Sequence, residues 1–293
     1  FGARDHFGIK PLYYGKMNGT FFVGSEIKAF IDHPHFDKEL NKNALKPYMT
    51  FQYSATQETF FKGIYKLPEG HCFHYKDGQF NMKEYWDADF DPKDEGFDKA
   101  VDNIEDIVTD SVKAHSFADK GIKVGSFLSA GVDSSYVTAM MRPDNTFSIG
   151  FDSTYDETKQ ARELAAKLNL KNTDAKLTNE EAFHTFPLIQ YYLDEPDSNP
   201  SVIPLYFLTR LAKENGYKAM LSGEGADELF AGYIDYGFNS NSMLIRWFTD
   251  KLRELPQAKR YKIAKWLDGK HFHGQLHMFR ALAPVRESKF IGQ

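Results

Sequence analysis

The sequence predicts an α/β chain in two parts: an antiparallel sheet region with a little helix to about residue 90, then a parallel sheet flanked by helices. Three observations carry this reading. Short aromatic runs before residue 90 are cut by Asn-Gly and Asp-Gly pairs, the strongest short hairpin signal. After it the apolar residues fall into helical spacing, and compact apolar runs then alternate with helices. Strands alternating with helices require parallel pairing with helices on both faces.

Taken in order, Pro11-Leu12-Tyr13-Tyr14, Thr20 to Gly24, Gly63 to Leu67 and His71 to Tyr75 read as strands. Met17-Asn18-Gly19, Pro68-Glu69-Gly70 and Lys76-Asp77-Gly78 are the turns between them, and a short helix is expected near Ala44 to Thr50. Asp87 to Gly96 is acidic with Pro and Gly and reads as a linker, which divides the chain into domains 1–90 and 91–293. Phe97, Val101, Ile104, Ile107, Val108 and Val112 then mark a long amphipathic helix. Ile122 to Leu128 reads as a buried strand, Ser134 to Met141 as a helix, Phe147 to Phe151 as a strand and Glu157 to Leu168 as a helix. A helix near Val202 to Asn215 leads into a strand at Lys218 to Leu221, and Lys251 to Lys270 reads as a solvated amphipathic helix.

Composition excludes several classes. A hydrophobic share of 42%, with 26 Phe and 16 Tyr, supplies a core and rules out a disordered chain. Against 41 acidic residues, 36 Lys+Arg leave a formal charge of −5, without the basic excess of a duplex nucleic-acid binder. No apolar run reaches the roughly 18 residues of a membrane span. The single Cys72 cannot form an internal disulfide, which favours a reducing, cytoplasmic setting. Phe1 to Gly15 carries no secretory apolar run. Without an initiating Met or a terminal cap, the chain is expected to be a fragment, incomplete at its C-terminal end.

Ligands of parallel sheets bind beyond the carboxyl ends of the strands, and two segments sit there. In Leu128 to Ser135, Ser129 offers a hydroxyl, Gly131 lets the backbone approach a ligand, and N–H groups converge on a helix start suited to phosphate oxygens. Asp133 beside a polyphosphate makes sense only with Mg²⁺ between them. Ser134 and Ser135 are expected to cap the helix or bond to phosphate. The plainer alternative is a turn with an N-cap. In Ser222 to Glu228, Asp227 and Glu228 could serve merely as first-turn carboxylates. Glu224, between Gly223 and Gly225, has nothing to cap or pack.

Leu128 to Ser135 resembles the Ser-Gly-Gly-x-Asp-Ser pyrophosphate loop of ATP pyrophosphatases, with Ala130 at the second position. That change is expected to be silent unless the position needs positive φ. With Ala3 to Tyr14, Gly24 to Ala29, Tyr155-Asp156-Glu157, Leu193 to Pro196 and Leu221 to Tyr233, the chain resembles glutamine-dependent asparagine synthetases. The resemblance implies an ATP-pyrophosphatase (adenine nucleotide alpha hydrolase-like) domain, preceded by the end of an N-terminal-nucleophile glutaminase domain whose Cys nucleophile this chain lacks. It implies ATP contacts at Leu128, Ser129, Gly131, Asp133, Ser134, Ile149, Ser222 and Gly223, a catalytic Glu224, and Mg²⁺ on Asp133 and Asp227. L-aspartate, L-glutamine or ammonia, and ATP are the implied partners, and a homodimer is compatible with it.

Two departures matter. Ala231 stands for an expected Gly, and Asn199 for an expected acid after Asp194-Glu195-Pro196. Residues from Asp194 to Ser201 are expected to decide between aspartate and another acceptor. The alternatives are a β-lactam-synthetase-like or secondary-metabolite amide ligase, and an ATP-binding module without turnover. Cys72 is expected to be a buried structural residue, and the pairs His33/His35 and His71/His74 are not expected to bind zinc. Tyr191 and Tyr192 are expected to pack the helix before Asp194.

Overall fold

The computed structural model describes residues 1–54, 56–89, 91, 93–116, 120–151, 156–230 and 232. Two compact units form, and the described part of the first consists of residues 1–91 and 190–199. The expected helix at Lys251 to Lys270, and the departure at Ala231, lie outside the described residues.

The first unit holds two antiparallel sheets, each of three strands. One joins β1 (Gly2–Ala3), β5 (His71–Lys76) and β6 (Gln79–Glu84); the other joins β2 (Tyr13–Met17), β3 (Thr20–Gly24) and β4 (Ile64–Lys66). Both predicted hairpins form. Asn18 and Gly19 have φ of 46° and 82°, and Asp77 and Gly78 have 51° and 80°, the left-handed pair that a two-residue turn needs to match the strand twist. Tyr14 stacks on Phe80 with centroids 4.6 Å apart, and Phe21 on Tyr75 at 4.1 Å. The helix α1 is Lys42–Phe51, with Asn41 Oδ1 capping the Asn43 N–H.

Segment 190–199 carries two carboxylates into this unit. Asp194 accepts from the Ile27 and Lys28 amides at 3.0 and 3.1 Å and pairs with Lys28 Nζ at 2.8 Å. Glu195 accepts from the Phe60 amide and pairs with Lys66 Nζ at 3.1 Å. Burial, reinforced by these two carboxylates, pushes the Tyr13 hydroxyl far above its usual range.

The second unit is built on a four-stranded sheet in the order β10-β7-β8-β9. Its elements are α2 (Phe97–His115), β7 (Val124–Phe127), α3 (Val132–Met141), β8 (Asn145–Phe151), α4 (Thr158–Lys167), β9 (Lys171–Leu177), α5 (Asn179–Leu193, whose last four residues belong to the first unit), α6 (Val202–Glu214), β10 (Ala219–Leu221) and α7 (Ala226–Phe230). Every strand pair in it is parallel. Leu128 packs on Ala161 and Ala165, and Phe147 on Ala212 and Tyr217.

Three details differ from expectation. The first strand starts at Val124 rather than Ile122, which is about one-third exposed. β9 was not foreseen: Lys171-Asn172-Thr173-Asp174 shows neither an apolar run nor clean alternation, because this edge strand pairs only with β8. Buried Ser126, Thr146 and Ser148 make the strands more polar than their pattern implied. Their hydroxyls are satisfied internally, Ser126 Oγ meeting Thr138 Oγ1 at 2.9 Å and Ser148 Oγ donating to the Leu128 carbonyl at 2.7 Å.

Candidate functional site

The strand order places the site. From β7 the chain steps to β8 and then β9 on one side, then returns to β10 on the other side of β7. Such a reversal opens a crevice at the carboxyl ends of the two strands flanking it. Leu221 lies opposite Ser126 in that register. Residues 128–131 and 222–225 therefore leave adjacent strands side by side.

The first loop is held by its own serines. Ser129 Oγ and Ser134 Oγ are 2.8 Å apart, the Ser129 amide donates to Ser134 Oγ, and the Gly131 amide donates to Ser129 Oγ. Ser135 Oγ donates to the Gly131 carbonyl at 2.6 Å. Neither Ser134 nor Ser135 caps α3, whose cap position is Gly131 without a side-chain bond; this corrects one of the two roles expected for them. The amides of Val132, Asp133 and Ser134, at the helix start, have no acceptor among the described residues. Such amides are the natural seat for an anion. Ala130 lies outside the left-handed region, so an alanine there costs no backbone strain.

Gly223 is required by close approach. A Cβ added there would lie 2.6 Å from the Ser134 nitrogen and 2.8 Å from the Asp133 carbonyl carbon. Gly225 has φ +91°, turning the chain into α7. Between them Glu224 is exposed, its amide 3.4 Å from Ser222 Oγ.

Together the loops line a cleft of about 500 Å³. Leu128, Ser129, Gly131, Asp133, Ser134, Ile149, Ser222, Gly223, Glu224 and Asp227 all line it. Phe127, Phe151, Leu205 and Leu208 add to its apolar side, with Ser201 and Glu157 beside them. Five of the described lining residues are acidic (Asp133, Glu157, Glu224, Asp227 and Glu228), and no Lys or Arg is among the described residues that line it. A polyphosphate entering would meet repulsion from these carboxylates, which an accompanying cation would relieve. Asp133 and Asp227 are half-buried hard oxygen donors, a donor set that fits Mg²⁺. No cluster of three or more ligating groups exists among the described residues. Mg²⁺ typically needs none, since one or two carboxylates with phosphate oxygens and waters complete its shell.

Glu157 is the residue that sequence reasoning left without a role. Its Oε2 accepts from the Ala130 amide at 3.1 Å. In the sequence Glu157 stands out only as a helix start and within the Tyr155-Asp156-Glu157 resemblance. Its neighbour Asp156 accepts from Thr158 N and Oγ1 at 3.0 and 2.7 Å and pairs with Lys176. Those bonds, the Thr158 hydroxyl foremost, hold its carboxyl below the usual range.

Other singled-out residues lie elsewhere. Of the stretch 194–201, Ser201 alone lines the cleft. Asp194 and Glu195 are structural in the first unit, and the Asn199 amide donates to Asp197 Oδ1. Cys72 is half-buried rather than buried, because one face of a short edge-adjacent strand shields it incompletely. Tyr191 and Tyr192 are each more than half exposed, which corrects their expected packing. His33 and His35 lie 5.8 Å apart by ring centroid.

The asparagine synthase family model matches residues 103–289, and the glutamine amidotransferase domain model residues 1–86. The chain is 39% identical over 242 residues to asparagine synthetase [glutamine-hydrolyzing] 1 of Bacillus subtilis, covering 80% of this chain and 38% of that protein. It is 26% identical to asparagine synthetase 3 of the same organism over 91% of this chain and 48% of that protein. Against asparagine synthetase B of Escherichia coli it is 27% identical, covering 79% and 40%. The chain thus spans 38% to 48% of the length of these relatives.

Proposed function

This chain belongs to the asparagine synthase family, and from that premise we propose that the full-length protein amidates L-aspartate to L-asparagine at the expense of ATP. The observation that carries the reading is the cleft, where two strand-end loops bring a phosphate-suited helix start, an apolar wall and an acidic residue on a glycine loop together.

The adenosine lies against Leu128 and Ile149, with Ser222 and Gly223 at its backbone edge. The phosphates rest on the amides of Val132, Asp133 and Ser134 and on the hydroxyls of Ser129 and Ser134. Asp133 and Asp227 would hold Mg²⁺, which supplies charge neutralisation for the leaving pyrophosphate. An aspartate β-carboxylate oxygen attacks the α-phosphorus, the bond to the bridging oxygen breaks, and pyrophosphate leaves. Ammonia, from glutamine or free, then attacks the acyl carbon and AMP departs. Glu224 assists formation of the β-aspartyl-AMP and takes a proton from the attacking nitrogen. We place the reaction in the cytoplasm; among the described residues, no helix is long and apolar enough to cross a membrane.

The test is pyrophosphate release by the full-length protein from ATP, Mg²⁺ and ammonia, with and without L-aspartate. Release only with aspartate is expected. Aspartate-independent behaviour with ATP still bound would move the acceptor to another carboxylate, as in a β-lactam-forming ligase. Glu224→Gln is expected to lose AMP formation while keeping ATP affinity. Unchanged turnover in that variant would remove Glu224 from the chemistry.

A further inference from the structure

We infer that Glu157 is a positioning residue for the phosphate-binding loop, holding it open for the pyrophosphate end of the nucleotide from outside the loop. The inference rests on the nucleotide reading above. Of the three consecutive amides in the loop, those of Ser129 and Gly131 are satisfied by the loop's own serine hydroxyls. The middle amide, Ala130, points away to Glu157 Oε2. Glu157 is thus the external group that fixes the loop's central peptide.

Its base is firm. Glu157 sits at the cap position of α4 but makes no side-chain bond to that helix, so its carboxylate is free to reach across. Its carbonyl is tied to the Ala161 amide at 3.0 Å. The next residue, Thr158, is buried and bonded to Asp156, which in turn pairs with Lys176. Gly150 leaves the space that Asp156 fills, since a Cβ there would collide with Asp156 Oδ1. Ala130, by contrast, is an exposed coil residue with no other hydrogen bond to the described residues. Without Glu157 its peptide is free to rotate, and an inward-turned carbonyl would put a partial negative charge where phosphate oxygens must sit. The role needs an acceptor at that place; the negative charge is not required.

The experiment measures binding of Mg²⁺-pyrophosphate, MgATP and adenosine to full-length wild type, Glu157→Ala and Glu157→Gln by calorimetry, with thermal unfolding as the folding check. Glu157→Ala is expected to weaken pyrophosphate and MgATP by about tenfold, the scale of one hydrogen bond. Adenosine, which the loop's central peptide does not touch, should bind it as it binds wild type. Glu157→Gln, which keeps an acceptor, should recover most of the loss. Equal pyrophosphate affinity in wild type and Glu157→Ala overturns the inference. Tighter pyrophosphate binding in Glu157→Ala also overturns it, showing a carboxylate that competes with phosphate. Parallel loss of adenosine binding would reduce Glu157 to general structural support and overturn it too. Failure of wild type itself to bind MgATP would refute the nucleotide reading, and this inference with it.

Discussion

Gly223 lies so close to Ser134 that the two strand-end loops share one packed backbone junction, with room for hydrogen but not for a methyl group. An invasive Cβ at 2.6 Å would meet backbone nitrogen, which cannot swing aside as a side chain can. The glycine therefore sets the distance between the helix start at Ser134 and the carboxylate of Glu224, one residue along.

Gly223→Ala is accordingly expected to separate the loops at a cost of about 1–3 kcal/mol. ATP affinity should fall by about tenfold or more, with the first unit's stability unchanged. Titration of MgATP into the variant checks this, and wild-type affinity would show that the junction relaxes freely.

With five carboxylates and no basic side chain among the described residues lining the cleft, ATP binding should vanish when divalent cation is chelated. Asp133→Asn and Asp227→Asn should each raise the Mg²⁺ concentration for half-maximal ATP binding, by about tenfold. Binding that survives EDTA would show that repulsion is relieved by other means.

Lys28 and Asp194 form a pair whose side chains are 12% and 6% exposed, and Asp194 has φ +63°. Removing Asp194 leaves Lys28 with the exposed Glu26 at 3.4 Å and the Tyr192 carbonyl at 3.2 Å, so the cost falls below the about 3–5 kcal/mol of a wholly unpaired buried charge. Asp194→Ala should lower the unfolding midpoint of the first unit by several degrees. The double variant Lys28→Met/Asp194→Ala should lose less than the sum of the single changes. Strict additivity in that cycle would mean that the pair is not coupled.

Asp156 is held below the ordinary carboxyl pKa by Thr158 and Lys176. A group whose folded pKa is depressed contributes stability above its unfolded value, near pH 4, and that contribution disappears as pH falls through the folded value. Asp156→Asn should therefore flatten the acid limb of the stability profile below about pH 4. Wild-type and variant curves that stay parallel there would contradict this.

The hairpins of the first strands and the long helix that follows them were legible because their signals are local. Asn18-Gly19 and Asp77-Gly78 set turn dihedrals by themselves, and helical spacing from Phe97 to Val112 needs no partner to be read. The cleft residues were legible as well, because small residues and carboxylates at strand ends have no packing reason to be there. β9 was not, since a polar edge strand gains its conformation from β8 rather than from its own pattern.

Chemistry-bearing residue types, and their place at the ends of strands, were thus determined by sequence alone. Which of them meet was decided by the tertiary structure. The return of the chain to β10 beside β7 puts Gly223 against Ser134. The parallel register brings Glu157 to the Ala130 amide, 27 residues away along the chain. It is also tertiary structure that takes Asp194 and Glu195, which read as substrate residues, and spends their carboxylates on Lys28 and Lys66. A carboxylate looks the same in sequence whether it faces substrate or an ammonium group. Only the partner brought to it by the fold tells the two apart.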